Sequence, residues 1–436
     1  MEMTLLSVYV ETHGCKLNQA DSQSIKNSFK KSGYLLSDNP KTSDIYILNT
    51  CTVTSEADRK ARQALRSIRR ANTNSFIVVT GCYAERSPES LGNLKEVDLI
   101  LGNQNKLQLV NTVTERFGRL QSDYFQTELP KTFPEVKTRA MVKIQEGCDQ
   151  ICSYCIVPKV RGRERSIPSD IILNQILDLE KEGFKEVVLT GTQLISYGFE
   201  YDNTNLYQLL ETILSKTNIP RIRVSSLQPQ IIDREFLDLW KSQRLCPHFH
   251  IPLQSGSNYI LQKMRRLYDV SNYSEKVDLI RSELPEASIT TDVIAGFPGE
   301  SDSDFEETYQ LCDKLGFSDM HVFPYSARAR TSAWYFRPNI ESVTKKQRVE
   351  SLIKLSNKNS ETYRKSLLGQ TRKVLWEKKI RLGQGHYWSG LTDNYARVYT
   401  ETNEDQSNKI RSTILTSISD DRLFGELLVN SSEVSY

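Results

Sequence analysis

Three cysteines within eight residues most constrain how this chain can fold, because their thiolates must share one loop and can share one metal centre. They are Cys148, Cys152 and Cys155, with Tyr154 just before the last one. A 4Fe-4S cluster has four irons, so three cysteine ligands leave one iron open to a small molecule. Structural zinc is the alternative, but it usually takes four Cys or His ligands in paired spacing. No other Cys or His lies within sixty residues on either side, so the motif favours an iron–sulfur cluster.

A second set of three cysteines is dispersed over the first hundred residues. Cys15, Cys51 and Cys82 each follow a short apolar run that is typical of a buried strand. Helical patterns over residues 19–31 and 56–71 separate these runs, and this alternation predicts a parallel sheet. Ligands of such sheets gather beyond the carboxyl ends of the strands. We therefore expect the three thiols to meet and hold a second cluster, the alternative being three independent buried thiols.

The middle of the chain, residues 138–327, alternates apolar strands with amphipathic helices. Six strand–helix units are fewer than the eight of a closed barrel, so the pattern predicts a partial (βα)6 barrel with its active site at the carboxyl ends of the strands. The predicted strands cover residues 140–145, 186–189, 222–225, 249–253, 289–294 and 320–324. The loop of Cys148 follows the first strand and opens onto the same face.

Polar residues stand at the predicted carboxyl ends of these strands. Each of them can be a helix N-cap instead of a ligand, but their shared location favours one site. The candidates are Thr190, Gln193, Ser225, Ser226, Gln254, Ser255, Asp292, Tyr325 and Ser326.

The C-terminal part reads as a basic helix, residues 344–368, followed by short β-type runs. Several short strands over some 65 residues predict a closed antiparallel barrel of the OB type. Between Lys345 and Arg381 there are twelve Lys or Arg against three Glu, which favours RNA. Basic stretches at residues 59–70 and 159–165 add to this interpretation. Aromatic residues can supply stacking faces for bases, or they can simply form the barrel core beside a solvated helix. They are Trp376, Tyr387, Trp388, Tyr395 and Tyr399.

Composition favours a cytoplasmic metalloenzyme of about three domains. No charged-then-apolar signal region and no apolar stretch of bilayer-spanning length occurs. Eight cysteines in 436 residues do not suggest a secreted disulfide framework. Cys246 and Cys312 have no partner spacing and are expected to be core thiols.

Over nearly its whole length the chain resembles the methylthiotransferases, a family of radical S-adenosylmethionine enzymes. The matching motifs are Glu-Thr-His-Gly-Cys15-Lys-Leu-Asn, Leu-Asn-Thr-Cys51-Thr-Val-Thr, Thr-Gly-Cys82-Tyr-Ala, the Cys148 motif, Pro-Leu-Gln254-Ser-Gly-Ser, Thr-Asp292-Val-Ile-Ala-Gly-Phe-Pro-Gly-Glu and Phe-Pro-Tyr-Ser326. The resemblance implies a methylthiotransferase domain over residues 1–125, a radical SAM core over 134–366 and a TRAM domain over 367–432.

The resemblance also implies a mechanism and its cofactors. The cluster on Cys148, Cys152 and Cys155 would bind S-adenosylmethionine and cleave it to a 5′-deoxyadenosyl radical. The cluster on the first three cysteines would hold the sulfur that is transferred. Tyr154 would support the adenine of the cofactor through its backbone, and Gln193, Ser225, Gln254, Ser255 and Asp292 are further candidates for cofactor contacts. The implied partners are a tRNA anticodon arm and an electron donor such as a flavodoxin or ferredoxin, with no membrane and a monomeric state.

Within the family, the Cys15 and Cys51 motifs look most like those of enzymes acting at carbon 2 of N6-threonylcarbamoyladenosine beside the anticodon. The isopentenyladenosine enzymes more often carry Gly-Cys-Gln-Met-Asn at the first site. They remain an alternative, as do enzymes that modify an aspartate of a ribosomal protein and a non-enzymatic two-cluster electron carrier. One departure is Ala327-Arg-Ala-Arg330-Thr331, where relatives usually have a Pro- and Gly-containing turn. We expect it to reshape the substrate-side loop.

Overall fold

The N-terminal part is a parallel sheet, as predicted, and its five strands follow the order β2-β1-β3-β4-β5. The computed structural model describes residues 6–117 and 138–428. The strands are β1 (Ser7–Thr12), β2 (Leu35–Leu36), β3 (Ile45–Thr50), β4 (Phe76–Gly81) and β5 (Leu99–Leu101). The helices are α1 (Lys16–Lys31), α2 (Ser55–Ala71), α3 (Cys82–Arg86), α4 (Pro88–Gly92) and α5 (Leu109–Phe117).

The central strand of this sheet is buried on both faces, because its alternate side chains enter two different cores. Ile45 and Ile47 pack with Phe29 of α1 on one face. Tyr46 and Leu48 pack with α2 on the other face. A continuous apolar strand with helices on both sides is what a parallel sheet requires.

The middle part is an open barrel of six parallel strands, which confirms the predicted architecture. Two three-stranded sheets, β10-β9-β6 and β11-β12-β13, are joined by single bridges from Ile222 to Leu245 and from Ser226 to His250. The strands, with a small hairpin of β7 and β8, are β6 (Arg139–Lys143), β7 (Gln145–Glu146), β8 (Arg165–Ser166), β9 (Glu186–Thr190), β10 (Arg221–Val224), β11 (His248–His250), β12 (Ser288–Ala295) and β13 (Asp319–Pro324). The helices are α6 (Val157–Arg161), α7 (Ser169–Lys181), α8 (Leu206–Lys216), α9 (Arg234–Asp238), α10 (Asn258–Lys263), α11 (Val270–Glu283) and α12 (Asp302–Leu315).

The two faces of the barrel strands differ in polarity. Ile222 and Val224 of β10 join the large apolar core that the outer helices cover. Strand residues alternate between faces, so Arg221 and Arg223 point to the inner side. Arg139, Glu186, His248, His250, Asp292 and His321 occupy inner positions in the same way. The inside of this barrel is therefore polar.

The C-terminal part is a closed five-stranded barrel in the order β14-β15-β16-β18-β17, and a long helix, α13 (Ser342–Ser366), precedes it. Its strands are β14 (Thr371–Leu382), β15 (Gly385–Thr392), β16 (Arg397–Thr400), β17 (Ile410–Ser419) and β18 (Arg422–Leu427). One pair, β16 with β18, is parallel; the other pairs are antiparallel as expected.

Of the two alternatives for the aromatic residues of this barrel, the two tryptophans take the core position and offer no stacking face to RNA. Trp376 is fully buried and Trp388 is 8% exposed, because strand alternation turns both into the barrel core. Tyr387 and Tyr399 pack against Phe424. Tyr395 stacks on His248 of the central barrel, with ring centroids 4.4 Å apart.

Only some of the expected domain limits fall on residues that the structure describes. The limits at residues 125, 134 and 432 fall on residues 118–137 and 429–436, which lie outside the described residues. The limit between residues 366 and 367 stays a prediction. In the two described ranges, no helix has both the length and the apolar character needed to cross a membrane.

Candidate active site

Cys15, Cys51 and Cys82 lie together at the carboxyl edge of the N-terminal sheet. Cys51 and Cys82 directly follow β3 and β4, which are paired with Thr50 opposite Gly81. Cys15 is the N-cap of α1. The residue before it, Gly14, has a φ of +115°, and a Cβ there would lie 2.6 Å from the Cβ of Cys51. Only glycine allows this close approach, so the turn brings Cys15 against Cys51.

The second cysteine set forms the tight loop that follows β6 and β7. The amide of Cys155 donates to the carbonyl of Cys152 at 3.1 Å, and the amide of Cys148 donates to Gly162 at 3.2 Å. Burial raises the pKa of Cys148 to about 11 and that of Cys155 to about 12. Neighbouring thiols of the same loop add to both shifts.

The two cysteine sets are adjacent in space. Cys82 packs against Ile156, which directly follows Cys155 in the chain, and against Val160 of α6. Asn103 joins the same elements, since its Nδ2 lies 3.6 Å from the Sγ of Cys82 and donates to the carbonyl of Val160 at 2.7 Å. Two groups of three thiols, one from each domain, therefore share one boundary.

Each group of thiols has an arginine beside it, buried Arg161 at the first and partly buried Arg266 at the second. The Arg161 side chain is 3% exposed. Burial opposes its charge, but Cys82, Asp21 and Cys15 nearby raise its pKa. Arg266 donates from Nη1 to the Sγ of Cys152 at 3.4 Å.

These surroundings suit an anionic cluster at each site. Burial raises the pKa of Cys51 to about 12, so this thiol needs a metal or a cation to become a thiolate. All-thiol donor sets with a buried guanidinium nearby fit an iron–sulfur cluster, since the cation stabilises the thiolate form. The assignment of the six cysteines as ligands stays a prediction.

A pocket of about 600 Å³ adjoins the loop of Cys148, which is the size range of a small-molecule site. It is lined by Asp149, Gln150, Ile151, Glu164, Gln193, Ile195, Ser196, Arg265, Arg266 and Leu267. Gln193, one of the expected cofactor residues, accepts a hydrogen bond from Gln228 at 2.6 Å.

The other expected cofactor residues lie at or near the carboxyl ends of the strands. Tyr154 is partly buried and packs against the cluster of Phe297 and Tyr325. Ser225 directly follows β10 and is 4% exposed. Gln254 has a φ of +68°, and its amide donates to the carbonyl of Asp292 at 2.8 Å.

Ser255, the remaining candidate, is fully buried. Its hydroxyl lies 3.3 Å from that of Thr308 and accepts a hydrogen bond from the amide of Ser257 at 3.2 Å. In this structure the side chain of Ser255 therefore stabilises the loop to which it belongs.

Two histidines that sequence reasoning missed surround Asp292. Nε2 of His250 lies 3.3 Å from one carboxylate oxygen, and Nδ1 of His321 lies 3.2 Å from the other. Burial opposes the charge of Asp292, but these hydrogen bonds lower its pKa. Both histidines occupy inner positions of β11 and β13 on either side of β12. The sequence signal that could have revealed these histidines is the presence of polar residues at every second position of otherwise apolar strands.

Lys16 is a second residue that sequence reasoning missed. It follows Cys15 directly, and its Nζ lies 5.5 Å from the ring centroid of Tyr395. Burial lowers its pKa to about 8, and Arg223 and Arg139 add to the effect. Within residues 6–117 and 138–428, no carboxylate lies within ion-pair distance of this amine.

Residues 327–331, where the sequence departs from the family turn, connect the rim of the barrel to the loop after Cys51 through hydrogen bonds. Arg328 is 5% exposed and donates to Asp58 of α2 at 2.5 Å and to Thr52 at 3.0 Å. The amide of Ser55 donates to Ser326 at 3.0 Å. The loop of residues 327–331 is thus attached to the segment that follows Cys51.

Part of the positive charge expected on the surface of residues 345–381 is buried in ion pairs within the protein. Arg348 is buried and pairs with Glu300 at 2.6 Å, and Arg372 is buried and pairs with Asp393 at 2.8 Å. A basic surface remains on α2, which begins four residues after Cys51. There a groove of about 550 Å³ is lined by Arg59, Arg62, Gln63, Arg66, Arg69, Arg70 and Glu96.

Comparisons with protein families match two parts of the chain. Residues 7–102 match the family described as Uncharacterized protein family UPF0004, and residues 142–312 match the Radical SAM superfamily. A solved structure of the radical S-adenosylmethionine methyltransferase TsrM from Kitasatospora setae, with cobalamin and a 4Fe-4S cluster bound, is similar with a TM-score of 0.54. The likeness covers 74% of this chain and 75% of that chain at 14% identity, and it concerns the fold alone.

Curated relatives cover nearly the whole chain. Threonylcarbamoyladenosine tRNA methylthiotransferase MtaB of Aquifex aeolicus is 38% identical over 93% of this chain and 99% of its own length. The protein of the same name from Bacillus subtilis is 34% identical over 93% of both chains. A tRNA-2-methylthio-N(6)-dimethylallyladenosine synthase of Endomicrobium trichonymphae is 33% identical over 97% of this chain and all of its own length.

Proposed function

Because the chain belongs to the methylthiotransferase family of radical S-adenosylmethionine enzymes, we propose that its substrate is N6-threonylcarbamoyladenosine beside the anticodon of a tRNA. The reaction would insert a methylthio group at carbon 2 of that base. The names of the relatives from Aquifex aeolicus and Bacillus subtilis support this choice. The isopentenyladenosine-type substrate remains the second candidate, since a relative named for it is 33% identical.

The observation that carries the proposal is the shared boundary of the two groups of thiols. Cys82 of the first group packs on the residues that follow Cys155 of the second. A reaction that joins a substrate radical to a sulfur atom needs both centres close to one base. This arrangement is also why we propose two 4Fe-4S clusters rather than one.

The residues of the chain would hold the two cofactors as follows. Cys148, Cys152 and Cys155 would hold one cluster beside the pocket of Gln193, and Cys15, Cys51 and Cys82 would hold the other. When bound, these groups supply the radical and the sulfur, chemistry that no side chain provides.

The protein itself contributes charge and position. Arg161 and Arg266 would stabilise the thiolate form of the ligands, since both guanidinium groups lie beside them in buried surroundings. Arg328 would keep the substrate-side loop against the Cys51 segment.

The tRNA partner fits the basic surface of α2. Lys60, Arg66 and Arg70 are exposed there and have no ion pair within the described part of the chain. Because α2 begins beside Cys51, a strand of RNA whose base enters the site can lay its phosphates along this helix. We further propose a flavodoxin or ferredoxin as the electron donor and a monomeric enzyme.

The test is anaerobic reconstitution with iron and sulfide, followed by reaction with dithionite, S-adenosylmethionine and tRNA. Separate tRNA samples carry threonylcarbamoyladenosine or isopentenyladenosine, and nucleosides are analysed by mass spectrometry. We expect a methylthio mass shift on threonylcarbamoyladenosine and none with the Cys148→Ala variant. A shift on isopentenyladenosine alone would overturn the substrate. Absence of 5′-deoxyadenosine from protein with both clusters would contradict the mechanism.

A further inference from the structure

We propose that Lys16 binds the carboxylate of the threonylcarbamoyl group and thereby selects this base over one with an apolar side chain. The inference rests on the proposed function and extends it to the residue that recognises the substrate. It follows from the position of Lys16, from its lack of a counterion and from the chemistry of the two candidate bases.

The position of Lys16 is next to the proposed sulfur-bearing centre. It follows Cys15 at the start of α1, and it is partly exposed. Its Nζ lies 5.5 Å from the ring centroid of Tyr395, and that ring stacks on His248 at an inner position of β11. A base placed between the barrel and Cys15 would have this amine beside it.

The carboxylates near Lys16 form ion pairs with other side chains. Glu186 lies 2.7 Å from Nε of Arg139 and 2.8 Å from Nε of Arg223. Asp292 is held between His250 and His321 at 3.3 Å and 3.2 Å. Lys16 therefore has cations and satisfied acids as neighbours, and a partly buried ammonium without a counterion is unfavourable. An anionic ligand would remove this cost.

The two candidate bases differ in the group that would meet this amine. A threonylcarbamoyl group carries a carboxylate, which an ammonium binds through a short charge-assisted hydrogen bond. An isopentenyl group is apolar and would leave the ammonium unpaired in the closed site. The same residue would thus favour one base and disfavour the other.

The experiment uses anticodon stem-loops that carry N6-threonylcarbamoyladenosine either as the free carboxylate or as its carboxamide. These probes have nearly the same shape, but the carboxamide is neutral and carries an NH2 donor in place of one acceptor oxygen. With the reconstituted wild-type enzyme we expect KM for the carboxylate to be about 10- to 100-fold lower than for the carboxamide. Lys16→Gln should abolish this preference, and Lys16→Arg should retain it because the cation remains.

The control variant is Lys30→Gln, an exposed lysine in the last turn of the same helix, which should behave as wild type. Iron content and 5′-deoxyadenosine formation without RNA are measured for every variant. Wild-type preference in Lys16→Gln would overturn the inference. Loss of iron or of S-adenosylmethionine cleavage in both Lys16 variants would also overturn it, because Lys16 would then serve a cofactor. If the wild type modifies only isopentenyladenosine, the proposed function itself fails.

Discussion

Glu186 is the central charge of the barrel interior. It is fully buried and pairs with Arg139, Arg223 and, at 3.6 Å, Arg221. Burial opposes its ionisation, but the guanidinium groups of Arg223 and Arg139 lower its pKa. This ion-pair network joins the inner positions of β6, β9 and β10, because Arg139 and Arg221 lie on either side of Glu186 in the sheet.

Replacing Glu186 by Gln should strongly destabilise the protein, because fully buried Arg223 loses its counterion. Removing one partner of a buried pair costs about 3–5 kcal/mol, to be measured by chemical denaturation of the cluster-free protein. Glu275→Gln, at an exposed position of α11, should leave the free energy of unfolding nearly unchanged. Equal unfolding curves for the two variants would contradict the role of Glu186.

The stability that Glu186 contributes through its pair with Arg223 should depend on pH. The folded-state pKa of Glu186 lies below its unfolded value of about 4.3. Its stabilisation is therefore present above that pH and is lost as the pH falls through the folded pKa. The difference between wild type and Glu186→Gln should shrink as the pH is lowered below about 4.

Replacing Cys51 by Ser should remove one cluster and leave the other. We expect about half of the wild-type iron, retained cleavage of S-adenosylmethionine and no methylthiolation. Cys246→Ala is the matched control, since Cys246 is a buried thiol outside both groups. Wild-type iron content in Cys51→Ser would show that Cys51 is not a ligand.

The two faces of helix α2 differ in polarity. Ala61, Leu65 and Ile68 are buried against the sheet at helical spacing. Thr54 caps the helix by accepting from the amide of Ala57 at 3.2 Å, and Arg69 and Arg70 lie in its last turn, where the helix dipole favours cations. The opposite face is free to carry the basic groove.

The double variant Arg66→Gln, Arg70→Gln should weaken tRNA binding without changing the fold. Two lost phosphate contacts should reduce the slope of log K against log salt by about 1.5. Binding titrations over a salt series measure this slope. The double variant Lys181→Gln, Lys216→Gln, on the outer barrel helices α7 and α8, should keep the wild-type slope. An unchanged slope in the α2 variant would exclude this helix from the RNA interface.

At the scale of the molecule, buried charges join the three parts of the chain. Asp21 of α1 accepts from Lys106 of its own domain at 2.9 Å and from Lys143 of the barrel at 2.8 Å, and it also faces Arg161. On the far side, Arg223 donates to the carbonyl of Asp393 in the C-terminal barrel at 3.0 Å. Polar contacts of this kind require one defined arrangement of the domains.

Asp21→Asn should loosen the contact between the N-terminal domain and the barrel, because Lys106 loses its carboxylate and Glu146 alone then faces Lys143 and Arg161. The penalty is about 3–5 kcal/mol, and it should appear as faster hydrogen exchange in α1 and α6. Exposed Asp38→Asn in the same domain is the control. Unchanged exchange at the interface would show that Asp21 does not hold the domains together.

The sequence by itself determined the order of the elements and the positions of the thiols. The six barrel strands and the helices α1 and α2 were predictable because hydrophobic periodicity is a local property. Cys15, Cys51 and Cys82 were predictable as neighbours because parallel strands end at one edge. Neither inference depends on how the domains pack against one another.

Only the tertiary structure decided which polar side chains meet. His250, Asp292 and His321 come together through the register of three parallel strands, and Lys16 meets Tyr395 of the C-terminal barrel while α1 packs on the central barrel. The burial of Trp376 and Arg348, which looked available to RNA, was likewise set by long-range packing. The physical reason is that ion pairs and aromatic contacts depend on distance in space, whereas periodicity records only which face of an element is apolar.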